Sequence, residues 1–369
     1  MKVSNRLISL DVLRGITISL MILVNTPGSW SYVYAPLRHA KWHGCNPTDL
    51  VFPFFLFIVG VSVWFSFSKY QTSLSRESAL KIIIRTFVIF LLGFVLNLFP
   101  FFDFSTVRIM GVLQRIALAY GVGSILCLAF KRNHLLLVLS VILIGYWALL
   151  LFGADMEPYA LIGNVVREFD IFLFEEEHVY KGFGVPFDPE GVLSTIPAVG
   201  TVIIGFFIGQ IIDKERVILR KIRKLLIYGS MFVFLGWIWS FIFPINKALW
   251  TSSYVLFTSG LCILLLALLI FIIDYKGFSR WSKPFVHFGT NPLFIFVFSG
   301  LYVKTISYLI KIHVGESGDT ISGYKYMYEH LLVPVFGNMN GSLLFALIHV
   351  FVFWLICLVL YKNKIFIKI

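Results

Sequence analysis

Charge is scarce in this 369-residue chain. Only 14% of residues are Asp, Glu, Lys or Arg, and just 19 are acidic, whereas about a quarter of a soluble domain is charged. With 59% hydrophobic residues and a mean hydropathy of +0.88, the shortage excludes an ordinary soluble globule. Cysteine is as sparse. Cys127, Cys262 and Cys357 fall inside apolar runs and Cys45 stands alone in a loop, which excludes a disulfide framework. Alternation of apolar and polar residues is missing too, so a membrane β-barrel is excluded. There is no internal repeat and no low-complexity tail. The first apolar run is interrupted by Asp11 and Arg14 and ends without a small-residue cleavage site, so an uncleaved first span is expected.

What the chain has is apolar length. Ten runs of about 20 residues, each long enough to cross a bilayer, lie near 8–26, 48–68, 80–99, 107–130, 134–152, 192–212, 224–243, 250–273, 286–311 and 342–361. The expected fold is an all-α polytopic membrane protein, a single domain over 1–369. The net charge of +12 fits that fold rather than nucleic acid, because the basic residues cluster between spans. With alternate loops assigned inside, 20 of the 31 basic residues fall there, from Lys2, Arg6 and Lys69 through Lys362, Lys364 and Lys368. By the positive-inside rule both termini are cytoplasmic. Two long loops then face outward. Residues 153–191 carry nine acidic side chains, Asp155 among them, and an acidic vestibule concentrates cationic ligands such as amines. Residues 312–340, rich in glycine and proline, read as an irregular or re-entrant cap.

Polar residues inside spans are costly and face the protein interior. Asp11 and Arg14, three apart, share a helix face and are expected to pair. If the fourth span starts near 107, Arg108 and Arg115 form a strip two turns apart with Gly111 between them, suited to phosphate or carbonyl oxygens. The competing reading pairs them with Asp103 or Asp49. Asn25, Asn97 and Asn291 lie within or at the ends of spans, where amides commonly join helices, and Asn25 differs in ending the first span on the same outer side as His39.

The densest chemistry is the outward stretch RHAKWHGCNPTDLVFP at 38–53. His39, His43, Cys45 and Asp49 could be read as a metal site, but Gly44 and Pro47 break the helix and the spacing matches no familiar zinc pattern. No metal is expected. Alternatively one histidine is a general base, or an acyl acceptor, oriented by Asp49. Histidines and tryptophans also occur at membrane interfaces without any chemistry.

The chain resembles the heparan-α-glucosaminide N-acetyltransferase family of membrane acyltransferases. The matching pieces appear in family order: SLDVLRG at 9–15, LVN at 23–25, HAKWHG at 39–44, DLVFP at 49–53, GVLQRIALAY at 111–120, DPEG at 188–191, PINKALWTSSY at 244–254 and GTNPLFIF at 289–296. The resemblance implies transfer of acetyl from cytosolic acetyl-CoA, the cosubstrate, to an amino sugar across the membrane. It implies His39 as the catalytic histidine, with Asn25 and Asp49 beside it.

On this reading Arg14, Lys81 and Arg85 at the inner helix ends hold the donor's phosphates. Arg115, about 12 Å below the outer end of a helix starting at 107, lies along its pantetheine arm. Trp42, His43, Asp188 and Glu190 are assigned to the acceptor. The partners are a terminal glucosamine or similar amino sugar, as in glycosaminoglycans, and the bilayer, with a homodimer allowed. A bacterial inner membrane is the expected location. The family commonly has Asn where this chain has His43, a potential second base. The extra N-terminal region of the lysosomal members has no counterpart here, so heparan sulfate is not carried over as the acceptor. An envelope O-acyltransferase and a sugar or anion transporter are the alternatives.

Overall fold

The computed structural model describes residues 7–68, 73–154, 157–314 and 319–367. Lys2, Arg6, Lys69, Asp155 and Lys368 lie outside the described residues. Among those residues, ten helical segments are long and apolar enough to cross a membrane.

The elements follow the apolar runs. They are α1 (Ile8–Asn25), α2 (Val51–Phe67, entered through a 3-10 turn at Pro47–Leu50), α3 (Arg76–Leu98), α4 (Val112–Ala129) and α5 (Arg132–Phe152). A short α6 (Val165–Phe174) sits in the long loop. Then come α7 (Val192–Lys214), α8 (Ile218–Trp239), α9 (Ser252–Leu269), α10 (Lys283–Thr290), α11 (Pro292–Lys304), α12 (Gly323–Tyr326) and α13 (Val333–Lys362). Local chemistry sets several starts. The Ser75 hydroxyl accepts from the Ser78 N–H to cap α3, and the Asn164 side chain accepts from the Arg167 N–H to cap α6. Ile8 and Phe366 line one cavity, so the two ends of the described chain emerge on the same face.

Three parts of the chain differ from the sequence expectation. The fourth span begins at Val112, not near 107, and Gly111 is its N-cap. Arg108 therefore precedes the helix, and no Arg108–Arg115 helical strip exists. Arg115 is in the first turn, about 5 Å from the helix end, not 12 Å. The ninth span is broken at Asn291, where Pro292 removes an amide donor and disfavours helical geometry before it. The described residues of 312–340 form more regular structure than expected. Strands β1 (Lys311–Val314) and β2 (Asp319–Ser322) pair antiparallel, α12 follows, and α13 starts at Val333 with a kink at Gly337, where φ is +71°.

Helices α1, α2, α4, α7 and α9 form the centre, with α7 the most enclosed, while α3, α5 and α8 present most of their surface to lipid. The centre is tight because small residues let backbones meet. A Cβ on Gly60 of α2 would lie 2.0 Å from the Val202 carbonyl oxygen of α7, and one on Gly205 would lie 2.1 Å from that of Phe57. The obstacle in both cases is backbone, which cannot rotate away. Gly205→Ala is expected to destabilise the protein by about 1–3 kcal/mol or more, read as a lower melting temperature in detergent. An unchanged melting temperature would contradict this packing.

Candidate active site

The segment between α1 and α2 is built around one buried carboxylate. Asp49 Oδ2 accepts the Asn46 and Ala40 backbone N–H groups, each at 3.0 Å, and Oδ1 lies 2.6 Å from His39 Nδ1. Asn46 Nδ2 donates to the Arg38 carbonyl. The Tyr254 hydroxyl donates to the Asp49 carbonyl oxygen, and the Gly44 N–H donates to the Ile245 carbonyl. The loop is thus pinned to the segment before α9. Asp49 is buried, while the His39 side chain keeps 42% of its surface.

Lys247 completes the group. Its Nζ lies 3.1 Å from His39 Nδ1 and 3.6 Å from Asp49 Oδ1. A ring nitrogen cannot donate to the carboxylate and accept from the ammonium at once. The 2.6 Å contact assigns the Nδ1 proton to Asp49, so Lys247 acts as an ionic partner of Asp49, and His39 Nε2 carries the lone pair. Burial lowers the Lys247 pKa from the usual lysine value, although Asp49 and Glu190 pull the other way. Burial, reinforced by Asp49, pushes the Cys45 thiol up to about 12, which removes it as a nucleophile at neutral pH.

His39, Asn25, Glu190 and Lys247 line one cavity of about 170 Å³, walled by apolar side chains such as Met21, Phe55, Ile116 and Phe296. A second cavity of about 440 Å³ is lined by Arg14, Ser62, Arg85 and Tyr120, with the Arg85 guanidinium 4.9 Å from the Tyr120 ring centroid. Phe55 and Ile116 line both cavities. Arg14 also lines two wide chambers on the face bearing the chain ends. One is about 1020 Å³ and includes Arg216 and Lys221; the other is about 1350 Å³ and includes Lys283, Lys362 and Lys364.

The remaining expected site residues fall elsewhere. Trp42 donates from Nε1 to the Tyr159 carbonyl at 2.7 Å and packs edge-on against Phe183 and Phe187. His43 Nδ1 lies 3.4 Å from Asn246 Nδ2. Neither is among the residues lining the His39 cavity. Asp188 is taken up by Arg108, whose Nε and Nη2 donate to it at 2.9 and 2.6 Å; Nη2 also lies 2.5 Å from Glu190 Oε2. The pairing of Arg108 with Asp103 or Asp49 is thereby corrected. Burial opposes the Arg108 charge, but the two carboxylates outweigh it and raise its pKa above the usual arginine value.

Arg115 is fully buried. It donates to Thr195, Ser194 and the Gly191 carbonyl, sits over the Trp250 ring, and is absent from the cavity walls described above. Asp11 and Arg14 pair at 3.4 Å, and Arg14 also bonds the Gly289 carbonyl and Ser62, tying α1 to α10 and α2. Lys81 is exposed, pairs with Glu77 one turn away and lies on none of these cavities. Sequence reasoning missed Lys247, counting it as an ordinary outer-loop charge. Its signal was the motif PINKALWTSSY, which carries the lysine among residues that pin the loop.

Asp170 of α6 shows how tightly the long loop before α7 is closed. It is buried against the start of α7, where Oδ1 accepts the Val192 N–H, and a Cβ on Gly191 would lie 1.7 Å from Oδ2. Burial raises its pKa to about 7. A carboxyl whose folded pKa exceeds its unfolded value stabilises the fold fully below about pH 4, and that contribution is lost as pH rises to about 7. At most, this is about 4 kcal/mol. The melting temperature is expected to fall between pH 5 and 7, and Asp170→Asn to flatten that slope. An equal slope in the variant would contradict it.

An integral multi-pass membrane protein with an exposed imidazole held by a buried carboxylate, beside two cavities that share Phe55 and Ile116, is the class these features define. Residues 6–243 match the family described as heparan-alpha-glucosaminide N-acetyltransferase, catalytic, and the chain belongs to that family. It is 28% identical over 429 aligned positions to the human heparan-alpha-glucosaminide N-acetyltransferase, covering 99% of this chain and 60% of the human protein. It is likewise 28% identical to the mouse protein of that name, covering 99% and 61%. The chain therefore spans about 60% of the length of these curated relatives.

Proposed function

We propose that this protein is a transmembrane N-acetyltransferase. It moves an acetyl group from cytosolic acetyl-CoA to the amino group of a terminal glucosamine or related amino sugar on the extracytoplasmic side. The observation that carries this reading is a pair of cavities that share Phe55 and Ile116 in their linings, with His39 on one and Arg14 and Arg85 on the other. Along α1, Asn25 and Arg14 are separated by about 16 Å, roughly half of a ~30 Å hydrocarbon core. A thioester on a long flexible arm fits that separation, with its phosphates toward the basic chambers. The excess of basic residues in the loops on that face supports its assignment to the cytosol, with a bacterial inner membrane as the setting.

The donor thioester supplies an activated acetyl carbonyl. His39 Nε2 takes a proton from the incoming amine as the N–C bond forms and returns it to the sulfur as the C–S bond breaks. Asp49 holds the ring in the required tautomer and stabilises its cation. Asn25 lines the same cavity and can donate to the carbonyl oxygen on which charge develops. Glu190, held by Arg108, offers a carboxylate to an ammonium, which favours an amine acceptor over a hydroxyl.

Purified protein given acetyl-CoA and a panel of amino sugars is expected to release free thiol and yield N-acetyl products. Thiol release without a sugar product, or O-acetylation alone, would contradict the reading. Lys247→Ala is expected to lower kcat/KM by roughly 10²-fold, because Asp49 loses its ionic partner and pulls the imidazole out of register. Lys247→Arg should recover part of this. Full activity in Lys247→Ala would remove the lysine from the machinery.

A further inference from the structure

Phe55 and Ile116 do more than line two cavities. One is an aromatic ring on α2 and the other a β-branched side chain on α4, and among the residues lining the two cavities only these two are shared. On the acyl-transfer reading the acyl group comes to the His39 cavity from the Arg14–Arg85 side, and these are the two side chains common to both walls.

The helices that carry them cannot spread. Gly60 and Gly205 lock α2 to α7 backbone to backbone, and a Cβ on Gly123 of α4 would lie 2.8 Å from Val202 of α7. Gly121 of α4 is as close to α3, where a Cβ would lie 2.5 Å from the Thr86 hydroxyl. With both helices braced on α7, these two side chains are held in place in the cavity wall. The room at His39 is small, about 170 Å³, and must also admit the acceptor.

We propose that Phe55 and Ile116 form a size filter for the acyl group, admitting acetyl and rejecting longer straight-chain acyl groups. The proposal rests on the acyl-transfer reading above and adds the acyl specificity of that site. A small cavity with a braced apolar wall opposes each added methylene by overpacking, even though apolar contact alone would favour it. Pockets of this kind discriminate one methylene by roughly 10-fold or more.

The test uses the full chain in detergent or nanodiscs with acetyl-, propionyl- and butyryl-CoA and one fixed amino sugar. Binding of the unreactive thioethers S-ethyl-CoA and S-butyl-CoA is measured alongside. Wild type is expected to lose at least roughly 10-fold in kcat/KM for each added methylene and to bind S-butyl-CoA more weakly than S-ethyl-CoA. Phe55→Ala and Ile116→Ala should each compress the acetyl-to-butyryl ratio about tenfold and narrow the difference in thioether binding. Phe55→Leu reads the same ratio if the alanine variant does not fold. A wild type that uses butyryl-CoA as well as acetyl-CoA, or variants with an unchanged ratio in both readouts, overturns the filter while leaving acyl transfer intact. Absence of transfer from every thioester to every amino sugar overturns the acyl-transfer reading, and the filter with it.

Discussion

Alanine at position 39 is expected to reduce acetyl transfer by roughly 10²–10⁴-fold if the imidazole acts as a general base, and to abolish it if the ring carries the acetyl group. The fold should survive. Asp49 would keep two backbone N–H donors and Lys247 as a counter-ion, so the substitution leaves no buried charge unpartnered. Activity is read as N-acetyl product, and folding as melting temperature and elution profile. A variant that is folded and fully active would remove His39 from the mechanism. Acid-quench trapping of radiolabelled acetyl on the wild-type protein separates the two roles, since only the carrier route leaves label on the chain.

The second large effect concerns stability. Arg108→Ala would strand two carboxylates, Asp188 at 1% side-chain exposure and Glu190 at 10%. Breaking a buried ion pair by removing one partner costs about 3–5 kcal/mol. Because the Arg108 side chain is about one quarter exposed, the lower end of that range applies. Acceptor KM should rise as well, since Glu190 lines the His39 cavity and loses its anchor. Arg108→Lys is expected to recover only part, because a single ammonium cannot reproduce the forked contact to Asp188 and Glu190. Thermal unfolding in detergent and acceptor saturation curves check both effects. An alanine variant as stable as wild type would show that the cluster does not hold the long loop.

Much of this was legible in the sequence. Apolar run length gave the spans, because each must satisfy its own backbone in lipid and so must be a helix of fixed minimum length. The crowding of His39 and Asp49 at the mouth of the second span marked the candidate site, since titratable groups are expensive there unless paired or used. Three things were not legible. The start of α4 was hidden because residues 107–111, apolar but for Arg108, continue the run without being helical. They are held by the Asn97 amide, which donates to the Arg108 and Met110 carbonyls, and by the Ile109 N–H donating to His178. Such contacts span sequence distances that no local pattern encodes. Lys247 was hidden for the same reason: it sits 208 residues from His39. The break at Asn291 was foreshadowed by Pro292. The ordered pairing of Asn291 with the Ile365 carbonyl and the Ile367 N–H, which makes the break tolerable, was not.

The account stands on acetyl crossing the bilayer through this chain while the donor stays behind. The direct measurement uses sealed proteoliposomes loaded with acetyl-CoA, with an impermeant polymer-linked glucosamine outside. The account predicts N-acetylated polymer outside and free CoA thiol inside, both lost in His39→Ala vesicles. Product that forms only when donor and acceptor share one compartment would contradict it.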